Sequence, residues 1–368
     1  MAYLEFKNVQ IAGIAAGVPK NIVSNLHPSP DDAISSEYEP EDFVKTTGVM
    51  ERRVSRELTT ADLSYAAAER LISDLGWSKE EIGALVFVSQ TPDYILPATA
   101  CILQDRLGLP RECYALDVSL GCSGWVYGLS SVASLFGAGT IKKALLLCGD
   151  ARARTRGNKR RLDPLFGGAG TATALSYKEG ASSLQFHFGT DGSGFDAIII
   201  PDGGSRSQFK PTSFDPFMLE GKETTRLNSR MKGMDVFSFG ITTAPKSVKA
   251  LAEQYGFDYL SADYFVFHQA NMKMNNMIAK KLKIPAEKVP SSMYHFGNTS
   301  SASIPLTIVT ELKGKADKGT ARFLCCGFGV GLSWGTVAFT TDNLVISDLV
   351  EVGDDETDKV HIVDDHLD

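Results

Sequence analysis

The stretch LDVSLGCSGWVYGLSSVASLFGAGTIKKALLLCGD, from Leu116 to Asp150, gives the strongest indication of the fold. A turn at Gly121–Gly124 is followed by residues that predict a helix ending near Gly137. The predicted helix carries an apolar stripe at helical spacing, formed by Trp125, Leu129, Val132, Ala133 and Phe136. A continuous apolar strand, Ala144–Cys148, follows. A buried helix leading into a buried strand is typical of a layered α/β protein.

Cys122 lies where the turn meets the start of this helix. Free N–H groups and the positive end of the helix dipole at such a position favour a thiolate over a thiol. A single cysteine in an apolar setting is more often a small packing residue than a nucleophile. The catalytic interpretation of Cys122 therefore depends on the rest of the chain.

The composition indicates a globular protein with a large core: 368 residues, 43% hydrophobic and 22% charged. The net charge of −7 gives no general attraction to nucleic acid or to an anionic membrane surface. No signal peptide and no membrane span are predicted. The six cysteines form no CxxC pair, and the six histidines no HxxxH pair, so we expect no metal site and a reduced, cytoplasmic protein.

An internal repeat divides the chain into two similar halves. Residues 69–90 and 248–269 share one order of helix, glycine, polar turn, apolar strand and glutamine. Two further pairs of segments match in the same order, the first of them at nearly the same offset, about 180 residues. These are LLLCGD ending at 150 with FLCCGF ending at 328, and FGGAG from 166 with GFGVG from 327. We predict an N-terminal half over 1–180, a C-terminal half over 181–341, and an acidic extension over 342–368 that is flexible or serves docking.

The repeat also places two polar residues, Cys122 and Asn298, at equivalent positions of the two halves. Cys122 and Asn298 each lie in a loop that enters a helix. His268 lies at the C-terminal end of the apolar strand Tyr264–Phe267. Side chains at the carboxyl ends of strands gather at one edge of an open α/β sheet. Taken alone, His268 would be interpreted as a buried histidine and Asn298 as a turn residue. Together with Cys122 they predict one site where the halves meet.

These segments resemble the β-ketoacyl-acyl-carrier-protein synthase III family, a part of the thiolase superfamily. The similar motifs cover about residues 1–340 in the family's order. They are TGVMERRV at 47–54, PDYxxPATAxxxQxxLG at 92–108, DVSxxCSGxxYGL at 117–129, HQAN at 268–271, GNTSSASIP at 297–305 and GFGxGLSWG at 327–335. The resemblance implies an α/β thiolase fold, with two similar βαβαβ halves in a five-layer αβαβα arrangement, and a homodimer.

The resemblance also assigns roles to the three polar residues. Cys122 would attack an acyl thioester and hold the acyl group. His268 and Asn298 would donate hydrogen bonds to the thioester carbonyl of the malonyl extender and stabilise the enolate formed on decarboxylation. The backbone N–H groups of Cys122 and Val330 would form the oxyanion hole. The substrates would be thioesters of coenzyme A and of acyl carrier protein, with no cofactor and no metal.

The chain departs from the family at the mouth of the expected site. The resemblance assigns substrate or carrier binding to four residues, Phe43, Arg160, Asn271 and Lys273. The family's tryptophan that stacks on the adenine of coenzyme A is replaced by Phe43, and its arginine partner is missing or moved to Lys45. Val330 stands where a glycine is usual. We therefore expect weaker recognition of coenzyme A than of a carrier protein.

The first function predicted is decarboxylative condensation of an acyl thioester with malonyl-acyl carrier protein, in fatty acid or related specialised metabolism. The alternative is a related acyltransferase that passes the acyl group to a non-malonyl acceptor in secondary metabolism. A third possibility is a catalytically idle scaffold subunit of a carrier-protein assembly, but the complete Cys-His-Asn set argues against it. A 3-hydroxy-3-methylglutaryl synthase would need a glutamate base beside the cysteine, and no such residue stands out.

Substitution of Cys122 by alanine should abolish acyl loading, because only this cysteine combines a turn, a helix start and the family motif. Cys148→Ala and Cys326→Ala should load nearly as well as the unaltered protein. Intact-mass measurement after mixing with acyl thioesters checks both expectations. Retained loading in Cys122→Ala would show that the nucleophile lies elsewhere.

Overall fold

Two β-sheets carry the fold. A computed structural model describes residues 2–27, 39–137, 139–151, 163–219 and 222–362. The helices in these ranges are α1 (Pro40–Thr47), α2 (Thr60–Leu75), α3 (Thr99–Arg106), α4 (Gly124–Phe136), α5 (Gly233–Tyr255), α6 (Met272–Leu282), α7 (Met293–Phe296) and α8 (Ser303–Leu312). The strands are β1 (Ala2–Phe6), β2 (Val9–Pro19), β3 (Ile22–Ser24), β4 (Glu51–Arg53), β5 (Ala84–Val88), β6 (Tyr114–Val118), β7 (Lys143–Asp150), β8 (Ala169–Tyr177), β9 (Leu184–Thr190), β10 (Ile198–Ile199), β11 (Phe217–Leu219), β12 (Lys222–Thr224), β13 (Arg230–Met231), β14 (Tyr264–Phe267), β15 (Thr320–Gly329), β16 (Ser333–Asp342), β17 (Val345–Ile346) and β18 (Val350–Val352).

The two sheets repeat one strand order. The first runs β6-β5-β7-β8-β2, with β5, β6 and β7 parallel and β8 antiparallel to both of its neighbours. The second runs β14-β15-β16-β9-β1, with β14 parallel to β15 and β16 antiparallel to β15 and β9. Thus β14, β15, β16 and β9 take the places of β5, β7, β8 and β2. The segments matched by the internal repeat are these corresponding strands.

The helices form three layers around the sheets. Helices α4 and α8 lie between them, since α4 contacts β5 and β7 on one side and β15 and β16 on the other. Helices α2 and α3 cover the outer face of the first sheet, and α5 and α6 that of the second. The stripe predicted for α4 is buried at every position, because this helix meets apolar surface on both sides. The arrangement is helix, sheet, helix, sheet, helix.

Local signals set the bounds of α2 as the sequence predicts. Thr59 caps its N-terminus in a reciprocal capping box with Asp62, and Gly76 ends it in the left-handed conformation. In the described ranges, no helix combines the length and the apolar character needed to cross a membrane.

The first residues of the chain form two strands that belong to different sheets. β1 pairs with β9 in the second sheet and β2 with β8 in the first. Asn8 lies between them with φ of 60°, and its side-chain oxygen accepts a hydrogen bond from Gly180 N at 3.0 Å. An asparagine tolerates this left-handed backbone, so the chain can turn there from one sheet to the other.

The acidic extension is packed rather than flexible over residues 345–362, which corrects the expectation of a free tail. β17 and β18 pair in parallel with β2, and Ile346 and Val352 are buried. Glu351 forms an ion pair with Arg53 at 2.7 Å. The acids of the extension meet basic residues that are distant in sequence, so local composition could not reveal the contact. Residues 363–368 lie outside the described ranges.

Helix α2 approaches the first sheet so closely that a strand position beneath it has no room for a side chain. A Cβ atom at Gly170 of β8 would lie 2.6 Å from the carbonyl carbon of Leu63 and 2.7 Å from Ser64 Oγ. Backbone atoms of a buried helix cannot yield as the end of a flexible side chain can.

We expect Gly170→Ala to lower the free energy of unfolding by about 1–3 kcal/mol, the usual cost of overpacking. Gly192→Ala is the matched control, since a Cβ atom there meets nothing within 4 Å. It should change the free energy by less than about 0.5 kcal/mol, as surface substitutions do. Urea denaturation measures both, and equal stability of the two variants would contradict the close approach of α2.

Candidate active site

The turn before α4 presents Cys122 at the end of the first sheet. Gly124 N donates to Gly121 O at 2.7 Å, which closes the turn, and α4 begins at Gly124. The Cys122 side chain is half-buried. A thiol at the start of an inner helix, not fully enclosed, can be reached by a substrate.

The end of β15 passes directly over this turn. A Cβ atom at Gly327 would lie 2.8 Å from Cys122 O, and one at Gly329 would lie 2.6 Å from Cys122 Sγ. Only glycine allows the backbone to come so near to the thiol. The second sheet thus contributes backbone to the immediate surroundings of Cys122.

The hairpin between β15 and β16 is tied to the same turn by two serines. Ser123 Oγ and Ser333 Oγ share a hydrogen bond of 2.7 Å, and Ser333 Oγ donates to Val330 O at 2.8 Å. A Cβ atom at Gly121 would come within 2.9 Å of Val330 Cγ1. Val330 is therefore beside the Cys122 turn, where the sequence places the second oxyanion donor.

His268 follows the last residue of β14 and is 1% exposed. Its backbone N donates to Cys326 O at 2.9 Å, and its ring lies edge-on to Phe328 at 5.8 Å. The imidazole Nδ1 shares a hydrogen bond of 2.7 Å with Ser303 Oγ. When the serine hydroxyl donates to Nδ1, the proton of a neutral imidazole resides on Nε2, which is then a donor.

Asn298 is 5% exposed and is held by both its backbone and its side chain. Its backbone N donates to Leu165 O at 2.8 Å, and its carbonyl accepts from Gly167 N at 3.1 Å. The side-chain Oδ1 accepts a hydrogen bond from Ser300 N at 2.9 Å. Because Oδ1 has this partner, the Nδ2 group is the half of the amide suited to a ligand oxygen.

The segment that carries Asn298 packs on the start of α4. A Cβ atom at Gly124 would lie 3.2 Å from Ser301 Cβ, and Ser301 Oγ donates to Val88 O at the end of β5. The segment continues to Ser303, the partner of His268. The structure therefore brings the surroundings of Cys122, His268 and Asn298 together where the two sheets end.

Sequence analysis did not identify Ser303 as part of the site. It lies within the quoted GNTSSASIP motif, among several serines, and only the fold selects the one that meets the imidazole. Gln90 was also missed: its side-chain carbon Cδ would lie 3.1 Å from a Cβ atom at Gly121. The repeat did offer a signal, since it aligns Gln90 with Gln269, next to His268.

Of the residues expected to bind the carrier, Lys273 lines a cleft of about 730 Å³ between α1 and α6, while Phe43 and Asn271 are next in sequence to residues that line it. Phe43 lies on α1, Asn271 caps α6 through Met274 N at 2.8 Å, and Lys273 lies in the first turn of α6. The cleft is lined by Asp42, Lys45, Thr46, Met272, Lys273, Asn276, Met277 and Lys280. The fourth residue, Arg160, falls outside the described residues.

Burial separates four of the other five cysteines from Cys122, while Cys101 is exposed. Cys148, Cys325 and Cys326 are enclosed, and desolvation raises the pKa of each thiol, to about 12 for Cys326. Desolvation also raises the pKa of the Cys113 thiol, to about 11. These four thiols stay protonated near neutral pH and are therefore poor nucleophiles.

Comparison with known proteins adds independent evidence. A family model described as 3-oxoacyl-[acyl-carrier-protein (ACP)] synthase III matches residues 116–192, and the model of its C-terminal part matches residues 252–341. The β-ketoacyl-[acyl-carrier-protein] synthase III of Clostridium perfringens is 30% identical over 334 residues, covering 89% of this chain and 98% of that protein. The protein of the same name from Syntrophomonas wolfei is 33% identical over 336 residues, covering 89% and 96%.

Solved structures agree. The crystal structure of 3-oxoacyl-(acyl-carrier protein) synthase from Burkholderia xenovorans superposes with a TM-score of 0.86 at 38% identity, covering 95% of this chain and 99% of that one. The predicted thiolase fold, with two similar halves in five layers, is thereby confirmed. Sequence identity and fold similarity both extend over nearly the whole of these relatives, and the chain therefore belongs to the β-ketoacyl-[acyl-carrier-protein] synthase III family.

Proposed function

We propose that the chain joins an acyl group to malonyl-acyl carrier protein by decarboxylative condensation, through an acyl group held on Cys122. The observation that carries this proposal is the packing of the segment of Asn298 and Ser303, the partner of His268, on the start of α4 beside Cys122. A nucleophile and two carbonyl-directed donors are the groups that the two halves of the reaction require.

In the first half-reaction, the Cys122 thiolate attacks the carbonyl carbon of the acyl thioester. The carbon–sulfur bond to the carrier breaks, the carrier leaves as a thiolate that takes up the proton lost from Cys122, and the acyl group remains on Cys122. Negative charge develops on the acyl oxygen, where the backbone N–H groups of Cys122 and Val330 are proposed to donate. The approach of the Val330 hairpin to the turn at Gly121 supports this pairing.

In the second half-reaction, malonyl thioester loses carbon dioxide and becomes an enolate. His268 Nε2 and Asn298 Nδ2 are proposed to donate to the enolate oxygen, because Nδ1 and Oδ1 already have Ser303 and Ser300 as partners. The enolate carbon then attacks the acyl carbon, a carbon–carbon bond forms, and Cys122 leaves as the thiolate. The products are a β-ketoacyl carrier protein and carbon dioxide. Every group used belongs to the protein, so the scheme needs neither metal nor redox cofactor.

The alternative acceptor, an amine, a hydroxyl or another carbanion, is not favoured by the relatives, whose names specify β-ketoacyl synthesis. The deciding experiment loads Cys122 with an acyl thioester and then adds malonyl carrier protein. Release of carbon dioxide with formation of a β-ketoacyl carrier protein supports the proposal. A loaded enzyme that never decarboxylates malonyl carrier protein, with any donor, would favour the other acceptor.

Carrier binding is proposed at the cleft between α1 and α6. Lys45, Lys273 and Lys280 face Asp42 around it, which gives an excess of positive charge. An acidic carrier protein and a phosphopantetheine phosphate are both suited to such a surface. Phe43, Asn271 and Arg160 complete the proposed set of carrier-binding residues. Arg160 is included on the resemblance alone.

A homodimer is proposed through β6. In the described part of the chain this strand lies at the edge of the first sheet, with Tyr114 and Leu116 exposed by 45% and 38%. Ile95 and Leu96, in the loop that follows β5, are exposed by 87% and 80%. An apolar strand edge is well suited to continue its sheet into a second copy. The free thiols support a reducing, cytoplasmic location.

The two half-reactions should respond differently to Asn298→Ala. Loss of one donor to the enolate should slow condensation about a hundred- to a thousand-fold, while acyl loading changes little. Loading followed by mass, and carbon dioxide release from malonyl carrier protein, separate the two steps. Equal damage to both would indicate that Asn298 maintains the fold through Leu165 and Gly167 instead.

Ser303→Ala tests the proposed donor role of His268. Without the serine hydroxyl, Nδ1 loses the partner that keeps the proton on Nε2, so condensation should slow about threefold to tenfold, as expected for one neutral hydrogen bond. Acyl loading should be unchanged. The control is Ser292→Ala, which removes a buried hydrogen bond of the same length to Thr307, 2.7 Å, away from the imidazole. Condensation as fast in Ser303→Ala as in the control would contradict this role.

A further inference from the structure

The final described segment, residues 354–362, lies beyond the part of the chain that matches the family model, which ends at residue 341. We call residues 354–362 the C-terminal strap. It follows β18 and crosses the outer face of the first sheet towards α2 and α3. Its contacts are with α2, α3 and the loop that follows β5, all far away from it in sequence.

An ionic cluster anchors the strap. Arg106 Nη1 lies 3.0 Å from Asp62 Oδ1, and Arg106 Nε lies 3.2 Å from Asp358 Oδ2. Asp358 N and Thr357 Oγ1 also donate to the Asp62 carboxylate. The side chains of Asp62 and Arg106 are 1% and 8% exposed. Removal of one partner of a buried ion pair leaves an unpaired buried charge, which is costly, so this anchor is not easily broken.

Beyond this anchor, the strap reaches the loop that follows β5. Tyr94 OH donates to His361 O at 2.6 Å, and His361 in turn meets Asp358 at 2.9 Å and Asp105 at 3.2 Å. The neighbouring Ile95 and Leu96, proposed above for the dimer interface, are exposed within the single chain. The base of the loop is held by Thr91 Oγ1, 2.7 Å from Thr60 Oγ1, and the bond from Tyr94 to His361 holds its tip to the anchored strap.

The start of the same loop touches the turn at Gly121–Gly124 that carries Cys122, which we call the nucleophile turn. Gln90 N donates to Asp150 Oδ1 at 2.8 Å, and the Gln90 side chain fills the space where Gly121 lacks a Cβ atom. Gly121 is the residue before Cys122. Only Thr91, Pro92 and Asp93 separate Gln90 from Tyr94. A displacement of Tyr94 is therefore transmitted over a short distance to the turn that carries the thiol.

We propose that the C-terminal strap positions the nucleophile turn through Tyr94. With Tyr94 held by His361, Gln90 stays against Gly121, and the Cys122 thiol and backbone N–H keep the geometry needed for attack on the acyl carbon. The inference rests on the proposed function for its effect on rate, since acyl loading is the step that uses this turn. Tyr94 is a positioning residue and does not touch the reacting atoms.

Two full-length variants test the proposal. Tyr94→Phe removes the hydroxyl and keeps the ring, and Asp358→Asn weakens the anchor while preserving its shape. Tyr177→Phe is the matched control, because Tyr177 is a 40% exposed tyrosine at the opposite end of the first sheet. For each protein, acylation of Cys122 is followed by mass at several donor concentrations. Amide hydrogen exchange is measured over residues 90–98 and 119–126, and the melting temperature is recorded.

In Tyr94→Phe, we expect the maximal rate of acylation to fall about threefold to tenfold, the range for loss of one neutral hydrogen bond. The half-saturating donor concentration should change by less than about twofold, since carrier binding is untouched. Exchange should rise in both segments. Asp358→Asn should change the rate and the exchange in the same direction, and Tyr177→Phe should alter neither.

Unchanged acylation in Tyr94→Phe would overturn the proposal, as would slower acylation without faster exchange over residues 119–126. A lower melting temperature with wild-type acylation would show that the strap only braces the fold. Failure of the proposed function gives a different result, in which the unaltered protein gains no acyl group on Cys122. The exchange data alone then decide the inference: faster exchange over residues 119–126 in Tyr94→Phe supports it, and wild-type exchange there refutes it.

Discussion

The approach of the β15 backbone to Cys122 is the contact on which the rest of the site depends. Gly327 and Gly329 leave no room for a Cβ atom between the second sheet and the nucleophile turn of the first. His268 is hydrogen-bonded to Cys326, one residue before Gly327. The position of His268 in the site is therefore set by the same strand. A side chain at either glycine would push the strand away and carry the imidazole with it. The separation of the two halves and the alignment of the groups proposed for catalysis are thus one constraint.

The groups proposed to stabilise the enolate are oriented before any substrate arrives. His268 and Asn298 are almost fully buried, and each has one polar atom occupied by a neighbour from the same short segment, Ser303 or Ser300. A buried polar atom without a partner is costly, so these neighbours leave each side chain little choice of rotamer. Donors that do not reorganise during a reaction stabilise developing charge more strongly than water does. Rigidity in this part of the site comes from hydrogen bonding within the loop.

Much of the layered architecture was predictable because its signals are local or repeated. The stripe of α4 and the capping box of α2 follow from side-chain spacing, and the repeat identified which strands correspond. The turn at Asn8 was not predictable, since its partner is Gly180 in a distant segment. The packing of the extension was not predictable for the same reason. An acidic segment resembles a solvated tail until Arg53 and Arg106 are placed beside it. Sequence patterns describe what one element needs, and only the fold shows which remote residue supplies it.

The first strand lies in the second sheet and the last two strands lie in the first sheet, which affects how the protein folds during synthesis. β1 completes the second sheet, while β17 and β18 cover the edge of β2 in the first. During synthesis the first half emerges early, but the outer edge of β2 has no such cover until β17 and β18 have left the ribosome. An open strand edge in a nascent chain is a template for wrong pairing. Neither half is therefore a separate folding unit, and the final segment closes a sheet that began some 330 residues earlier, at contacts whose long separation slows folding.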